Sequence, residues 1–448
     1  MKSRTLHAGI AEKAEYALAI LVTSAFFLAN LPIAGPVYQA DEGGYLANAA
    51  AIAGFSVDVA SSYYAGYSLL LAPAFSLANS PESVYLVVKL INSLLWGGVA
   101  LLAFRTLAMA FPTLARGRLL WCLLVALLYP SWIVMSGYAF SSTAVVLTFI
   151  LSAFWLLRIQ SFGGMNWLWF AVAVGYLYSI HPSSAAIVVS STITLLLLGH
   201  VRGEWHWCVA AILLLFGCAL AYSLWLAPGL AVTMTTGDYP MESHYPSASK
   251  VLSSLITLDG ILKLAICTMG QITYLMLSTY GLITIPFIWL LRQRPIFGAS
   301  LSQPDYLLVF YGTISLLGVT TLSSISMSIG DSMRLDHWMY GRYTEGFTLL
   351  LLASALCLWS TRHFAISLIA LAVCFTLFYA GLPNKSGGFI ALNGLGLWQN
   401  FVVDYDPDTT SPGQIIAQWG LMASPILAIL LFARHISARL FVLMLAFS

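Results

Sequence analysis

Gln39-Ala40-Asp41-Glu42-Gly43-Gly44-Tyr45-Leu46-Ala47-Asn48-Ala49 follows directly on the first long apolar segment of the chain, residues 16–33. Two adjacent carboxylates stand there although only 8% of the 448 residues are charged. A carboxylate at membrane depth costs about 3 kcal/mol or more unless it is paired or wet, so its presence asks for a function. The surrounding composition sets the membrane context: 60% of residues are hydrophobic and the mean hydropathy is +0.87, whereas soluble domains carry about a quarter charged residues. Apolar runs of roughly 20 residues predict helices; a β-barrel would show short alternating segments. The expected fold class is an all-α polytopic membrane protein.

Upstream of the acid pair, Lys2, Arg4 and Lys13 precede the first apolar run with no small-residue cleavage site behind it. This predicts an uncleaved first span with a cytoplasmic N-terminus. Downstream, the polar segment 37–64 reads as the first exoplasmic loop. Gly43-Gly44 would let the backbone turn into a short interfacial helix over 44–53. Further apolar runs lie at 65–79, 84–110, 119–135, 142–157, 167–180, 185–198, 208–226, 264–291, 306–327, 347–358, 366–379 and 415–432. The cationic turns at Arg105/Arg116/Arg118, Arg158, His200/Arg202, Arg292/Arg294, Arg362/His363 and Arg434/Arg439 belong in the cytoplasm by the positive-inside rule. Parity then requires 65–79, short and containing Pro73, to be re-entrant or tilted. That gives about 12 full spans, against 13 if it crosses. The chain is expected to form one domain, 1–448, with further exoplasmic loops at 229–260, 329–345 and 381–413 and no soluble domain. On this topology only Glu12, Glu15, Glu204 and Asp305 among the acids fall on the cytoplasmic side.

The six cysteines all lie inside apolar runs and no CxxC occurs, so disulfides and a thiolate metal site are not expected. The net charge of +2 gives no nucleic-acid footprint. Neither a cofactor nor a metal ligand set is implied, although a divalent ion stays open. The Asp404–Asp408 cluster has suitable oxygens but lacks the ligand count and glycine of a calcium-binding hand.

Four constellations could carry chemistry. Asp41 and Glu42 suit a base that takes a proton from an attacking hydroxyl, because burial raises and a nearby cation lowers a carboxylate's pKa. The loop 330–345 collects Arg334, His337, Tyr340, Arg342, Tyr343 and Glu345. Arginine offers a bidentate grip on phosphate, and aromatic faces suit sugar rings and prenyl chains. Arg342 is the first candidate there for a lipid phosphate, with Arg334 and His337 behind it. His181, at an exoplasmic turn, could also meet phosphate or acceptor. Lys89 and Asn92 share one face of an apolar run. Lys89 could approach a donor phosphate, but snorkelling to the membrane edge is the expected behaviour. Tyr45, Tyr64, Tyr340, Tyr343 and Glu345 are candidates for sugar or acceptor contact. The long loops 229–260 and 381–413 suit acceptor binding.

Taken together, Asp41-Glu42 with Tyr45 and Ala49 after the first span, the interfacial segment behind them, and Tyr340-Gly341-Arg342-Tyr343-Thr344-Glu345 late in the chain resemble the GT-C superfamily of glycosyltransferases. Members include protein mannosyltransferases, lipid A aminoarabinose transferases and arabinofuranosyltransferases. The Gly-Arg-Tyr string resembles a motif of the arabinosyltransferase-like members, and the compact size resembles those that decorate bacterial type IV pilins. The resemblance implies a GT-C bundle and an inverting transfer of a sugar, arabinofuranose first, from a polyprenyl-phosphate donor. It implies a protein or glycan hydroxyl as acceptor, Asp41 as catalytic base with Glu42 beside it, and an active site on the periplasmic face of a bacterial inner membrane. The chain departs from the aminoarabinose transferases, whose Lys-Pro-Pro is replaced by Tyr63-Tyr64-Ala65-Gly66-Tyr67, and it is expected to be without the C-terminal soluble domain of the larger arabinosyltransferases. Two other classes fit parts of the pattern. An O-antigen polymerase or ligase would use Arg334 and His337 without the acid pair. A transporter or flippase would place charges near the midplane, often in repeated halves.

Overall fold

The computed structural model describes residues 2–36, 39–57, 63–227, 248–293, 300–329 and 341–381. All regular elements among the described residues are helical. Among the described residues six helical segments are long and apolar enough to cross a membrane: Pro81–Ala110, Ser142–Phe162, Pro182–Arg202, Trp205–Leu226, Leu258–Ser278 and Pro304–Ser328. The chain is a multi-pass membrane protein. It divides into two compact units, one of Met1–Leu123, Trp132–His244 and Ile296–Ser315, the other of Leu124–Ser131, Tyr245–Pro295 and Leu316–Ser448.

In the first unit α1 (Lys2–Ala29) packs along α4 (Pro81–Ala110), after α2 (Gln39–Ile52) and α3 (Ala65–Leu77), which pair with each other. In chain order α5 (Arg116–Leu127) and α6 (Pro130–Ser136) come next, with Leu124–Ser131 counted in the second unit. α7 (Ser142–Phe162) lies between α4 and α8 (Asn166–Ile180). α9 (Ala185–Arg202) and α10 (Trp205–Ala221) pack against α8 and each other, and α3 touches both α4 and α8.

The start of α4 is written in its sequence. Ser80 Oγ accepts from the Ser83 N–H at 3.3 Å, Ser83 Oγ accepts from the Ser80 N–H at 3.0 Å, and Pro81 occupies the first turn. Two orphan donors are thereby satisfied and φ is preset. The helix ends at Ala110, ahead of Pro112, which disfavours a helical Phe111. Tyr85, Lys89, Asn92 and Trp96, at spacings of four, three and four, are all buried, while Leu86, Leu90 and Leu94 are exposed as lipid-facing residues must be. Lipid tails are as apolar as leucine, so close packing holds such helices together. A Cβ at Gly97 would collide with Thr23 and the Ala19 carbonyl, so α1 and α4 meet nearly backbone to backbone.

Charge is segregated along the unit. Glu15 of α1 pairs with Arg105 at 3.1 Å and Arg116 at 3.7 Å, and Arg202 pairs with Glu204 at 2.6 Å. Burial pushes the Glu204 carboxyl up, but hydrogen bonds from Arg202 and Trp167 outweigh it and hold the group below its ordinary range. Arg158 lies over Phe154, Trp155 and Phe162, with the Phe162 ring centre 5.0 Å away. Lys89 sits about 24 Å along α4 from Arg105 at 1.5 Å per residue. It lies at the end where α2 carries Asp41 and Glu42. The arginines and the acid pair thus occupy opposite ends of the unit.

Several expectations from sequence are redrawn. α2 begins at Gln39, so Gly43 and Gly44 lie within the helix and make no turn. Glycine costs about 1 kcal/mol in a helix interior, which packing on α3 outweighs. The run 119–135 breaks at Leu128 and Tyr129, because Pro130 starts the next helix. Residues 65–79, expected not to cross fully, yield a helix of 13 residues, short of the roughly 20 needed to span, which agrees with that expectation.

The second unit contains α11 (Ala248–Leu255), α12 (Leu258–Ser278), α13 (Thr284–Arg292), the later part of α14 (Pro304–Ser328), α15 (Arg342–Glu345), α16 (Leu349–Cys357) and α17 (Thr361–Gly381). α12 packs on α17, and α13 packs on α16 and α17. Thr257 caps α12 by accepting from the Gly260 N–H at 3.1 Å. The expected continuous run 264–291 is broken after Ser278. There Gly281 N–H returns to the Met276 carbonyl at 2.6 Å and Tyr280 N–H to the Leu277 carbonyl at 3.1 Å. This crossed pair closes the helix end, with Tyr280 at φ 51° in the position glycine usually fills.

Candidate active site

Asp41 and Glu42 sit in the first turn of α2, where unpaired backbone N–H groups favour negative charge. Successive helical residues point about 100° apart, and the two carboxylates go separate ways. Glu42 faces inward at 0% exposure. Its Oε2 accepts from the Tyr85 hydroxyl at 2.6 Å and from the Ala139 N–H at 2.8 Å, which ties α2 to α4 and to the segment ahead of α7. Asp41 remains part-exposed, and its Oδ1 accepts from the Tyr63 hydroxyl. Tyr63 is itself fixed: its carbonyl accepts from Asn48 Nδ2 at 2.9 Å, and its ring lies 4.9 Å from that of Tyr45.

The other residues singled out in this unit are largely committed to holding the end of the bundle together. Tyr45 is buried, and its hydroxyl donates to Ser141 Oγ at 2.8 Å. Its ring packs on that of Tyr63, 4.9 Å away. Lys89 does not snorkel. It is 4% exposed, and its Nζ donates to the carbonyls of Asn30 at 3.2 Å, Leu31 at 3.2 Å and Ile33 at 2.7 Å. The ammonium binds carbonyls of the turn that follows α1. Asn92 accepts from the Tyr67 hydroxyl at 2.8 Å and donates to the Tyr138 carbonyl at 2.8 Å. His181 Nδ1 accepts from the Ser183 N–H at 3.2 Å and thereby caps the turn that opens α9. Tyr64 packs against Tyr222 and Tyr178, with ring centres 5.2 and 6.0 Å away. Burial and the Tyr178 and Tyr222 phenols push its hydroxyl well above the usual range.

A second acid is organised within the second unit. Glu345, a candidate from sequence for sugar or acceptor contact, is 3% exposed. Its Oε1 accepts from Ser131 Oγ at 2.7 Å, from the Tyr129 hydroxyl at 3.2 Å and from the Tyr274 hydroxyl. Burial raises its pKa, opposed by the Tyr274, Ser131 and Tyr129 hydroxyls and by Arg342. The Tyr274 ring presses on Gly341 so closely that a Cβ there would overlap it. Arg342 and Tyr343, on the turn so anchored, are part-exposed. Arg334, His337 and Tyr340 lie outside the described residues.

Sequence reasoning missed Tyr63, Tyr85, Tyr129, Ser131 and Tyr274. Tyr85 carried a signal, since it lies four residues before Lys89 on the polar face of α4. The rest are distant in sequence from the acids they serve. Among the described residues no group of three His, Cys, Asp or Glu could hold a metal ion.

No family model matches this sequence, and no curated protein matches it. Among solved structures, ArnT from Cupriavidus metallidurans bound to undecaprenyl phosphate aligns with a TM-score of 0.49 and 15% identity, over 96% of this chain and 72% of that one. The same protein in the apo state gives 0.48 and 16%, over 97% and 73%. Likeness at that level bears on no chemical assignment, which rests on the side chains themselves.

Proposed function

We propose that this chain is an inverting GT-C-type glycosyltransferase of a bacterial inner membrane. It moves a sugar, arabinofuranose by the sequence resemblance, from a polyprenyl-phosphate donor to a hydroxyl of a protein such as a pilin, or of a glycan, on the periplasmic face. The observation that carries the reading is the division of the acid pair. Glu42 is consumed by the fold, while Asp41, one residue away, stays part-exposed and oriented by a phenol.

Asp41 is the general base. As the acceptor oxygen bonds to the anomeric carbon from the face opposite the phosphate, its proton passes to the Asp41 carboxylate. The anomeric carbon–phosphate oxygen bond breaks with its electron pair going to the phosphate, and polyprenyl phosphate leaves. The transition state has oxocarbenium character, as in glycoside hydrolysis. The donor phosphate needs a cation, and a guanidinium matches it bidentately, a role we assign to Arg342.

The test uses the purified full chain with a synthetic polyprenyl-phosphoryl arabinofuranose, read for released polyprenyl phosphate. Asp41→Asn should lower turnover by about 10²–10⁴-fold, the usual worth of a general base. Transfer at the wild-type rate by that variant overturns the assignment. Wild-type turnover of another pentosyl donor in preference to this one overturns the sugar alone.

A further inference from the structure

Tyr63 was not among the residues that sequence singled out, yet its hydroxyl donates to Asp41. We infer that Tyr63 is a positioning residue for Asp41, holding one carboxylate oxygen by a phenol hydrogen bond so that the group is kept ionised and aimed at the moment an acceptor arrives. The inference rests on the reading of Asp41 as base and adds to it the means by which the base is kept ready.

Three observations carry it. The phenol is held independently of the acid: its backbone carbonyl takes the Asn48 amide, and its ring lies against Tyr45. It stands two residues before α3, whose first residue, Ala65, gives its N–H to the Tyr222 hydroxyl at 2.9 Å. The phenol is thus fixed from both sides before it reaches Asp41. The surrounding polar groups are engaged elsewhere. On α3 Tyr67 donates to Asn92, and on α4 Tyr85 donates to Glu42 while Lys89 donates to three carbonyls. Ahead of α7, the Ala139 N–H is taken by Glu42, and the neighbouring Tyr138 packs on Phe140.

A donor to a carboxylate favours its charged form, so removing the donor raises the pKa and strengthening it lowers the pKa. The experiment follows the carboxyl stretch of the full chain in detergent by infrared difference spectroscopy through a pH titration. The band lost in Asp41→Asn assigns the group. In Tyr63→Phe its midpoint should move up by about one pH unit, and with 3-fluorotyrosine, a stronger donor, at position 63 it should move down. Where donor turnover is measured, the acid limb of the kcat profile should follow the same two shifts with KM unchanged. A purely structural role for Tyr63 would lower the folded fraction without moving the midpoint in opposite directions. A midpoint unmoved by both replacements overturns the inference. Full activity in Asp41→Asn overturns the base assignment while leaving the titration result standing, so the two failures are distinguishable.

Discussion

Glu42 and Glu345 lie in different units of the chain, yet both are buried carboxylates on a short helical stretch next to a charged residue left part-exposed. Their surroundings differ in kind. Glu42 accepts one phenol and one backbone N–H, and that phenol lies 3.2 Å from a second acceptor, the Gly137 carbonyl. Glu345 gathers three side-chain hydroxyls on a single oxygen. The first acid is a fastener between backbone segments; the second is the hub of a side-chain network. The difference teaches that an acid beside a functional candidate in sequence can be there to hold that candidate's helix still.

The comparison can be broken most directly by truncation. Glu345→Ala should take from the Tyr129, Ser131 and Tyr274 hydroxyls the acceptor they share and lower thermal stability in detergent by up to roughly 3–9 kcal/mol, at 1–3 kcal/mol for each buried group left unmatched. Glu42→Ala strands the Ala139 N–H alone, because Tyr85 can turn to Gly137, and should cost about 1–3 kcal/mol. Equal losses would show that the two sites are alike after all. Lys89→Met removes the ammonium from the carbonyls of Leu31 and Ile33, while the Asn30 carbonyl keeps the Ile33 N–H, and should cost about 2 kcal/mol, read from the same melts.

Neutral replacement sharpens the contrast. Burial holds the Glu345 carboxyl above its ordinary range, so the folded protein keeps that proton more tightly than the unfolded chain does. The stability this contributes is full below the unfolded pKa and is lost as pH rises through the folded one. Glu345→Gln should therefore remove that decline and be at least as stable as wild type above the folded pKa. A variant that still declines in step with wild type would assign the decline elsewhere. The smallest effect is expected at the cationic end. Arg105 pairs with Glu15 while 41% of its side chain stays exposed, so Arg105→Gln should change stability by less than about 1 kcal/mol.

Much of the helical architecture was legible because charge is so scarce. Glu15 and Glu204, two of the acids set apart from the rest by sequence, do pair with arginines at one end of the first unit. The acid pair was legible for the same reason, but the separate fates of its members were not. Which of two adjacent helical residues points inward depends on what packs against the helix, and Tyr85 and Ala139 come from far along the chain. The start of α2 was misjudged because Gly43-Gly44 argues for a turn locally, while contact with α3 decides globally. Pro130 did announce the break before α6, and the apolar run around it masked the signal. The break after Ser278 was hidden differently, since a tyrosine there takes the backbone conformation expected of glycine.

Gly341 carries a consequence for how tolerance to substitution should be interpreted. Its backbone lies at φ −86° and ψ −26°, a conformation that alanine adopts without strain. Space alone forbids a side chain, because the Tyr274 ring already fills it. A saturation library at this position would retain glycine and little else, and an insertion of one methyl group would be felt through the phenol at Glu345, several residues from where it was made.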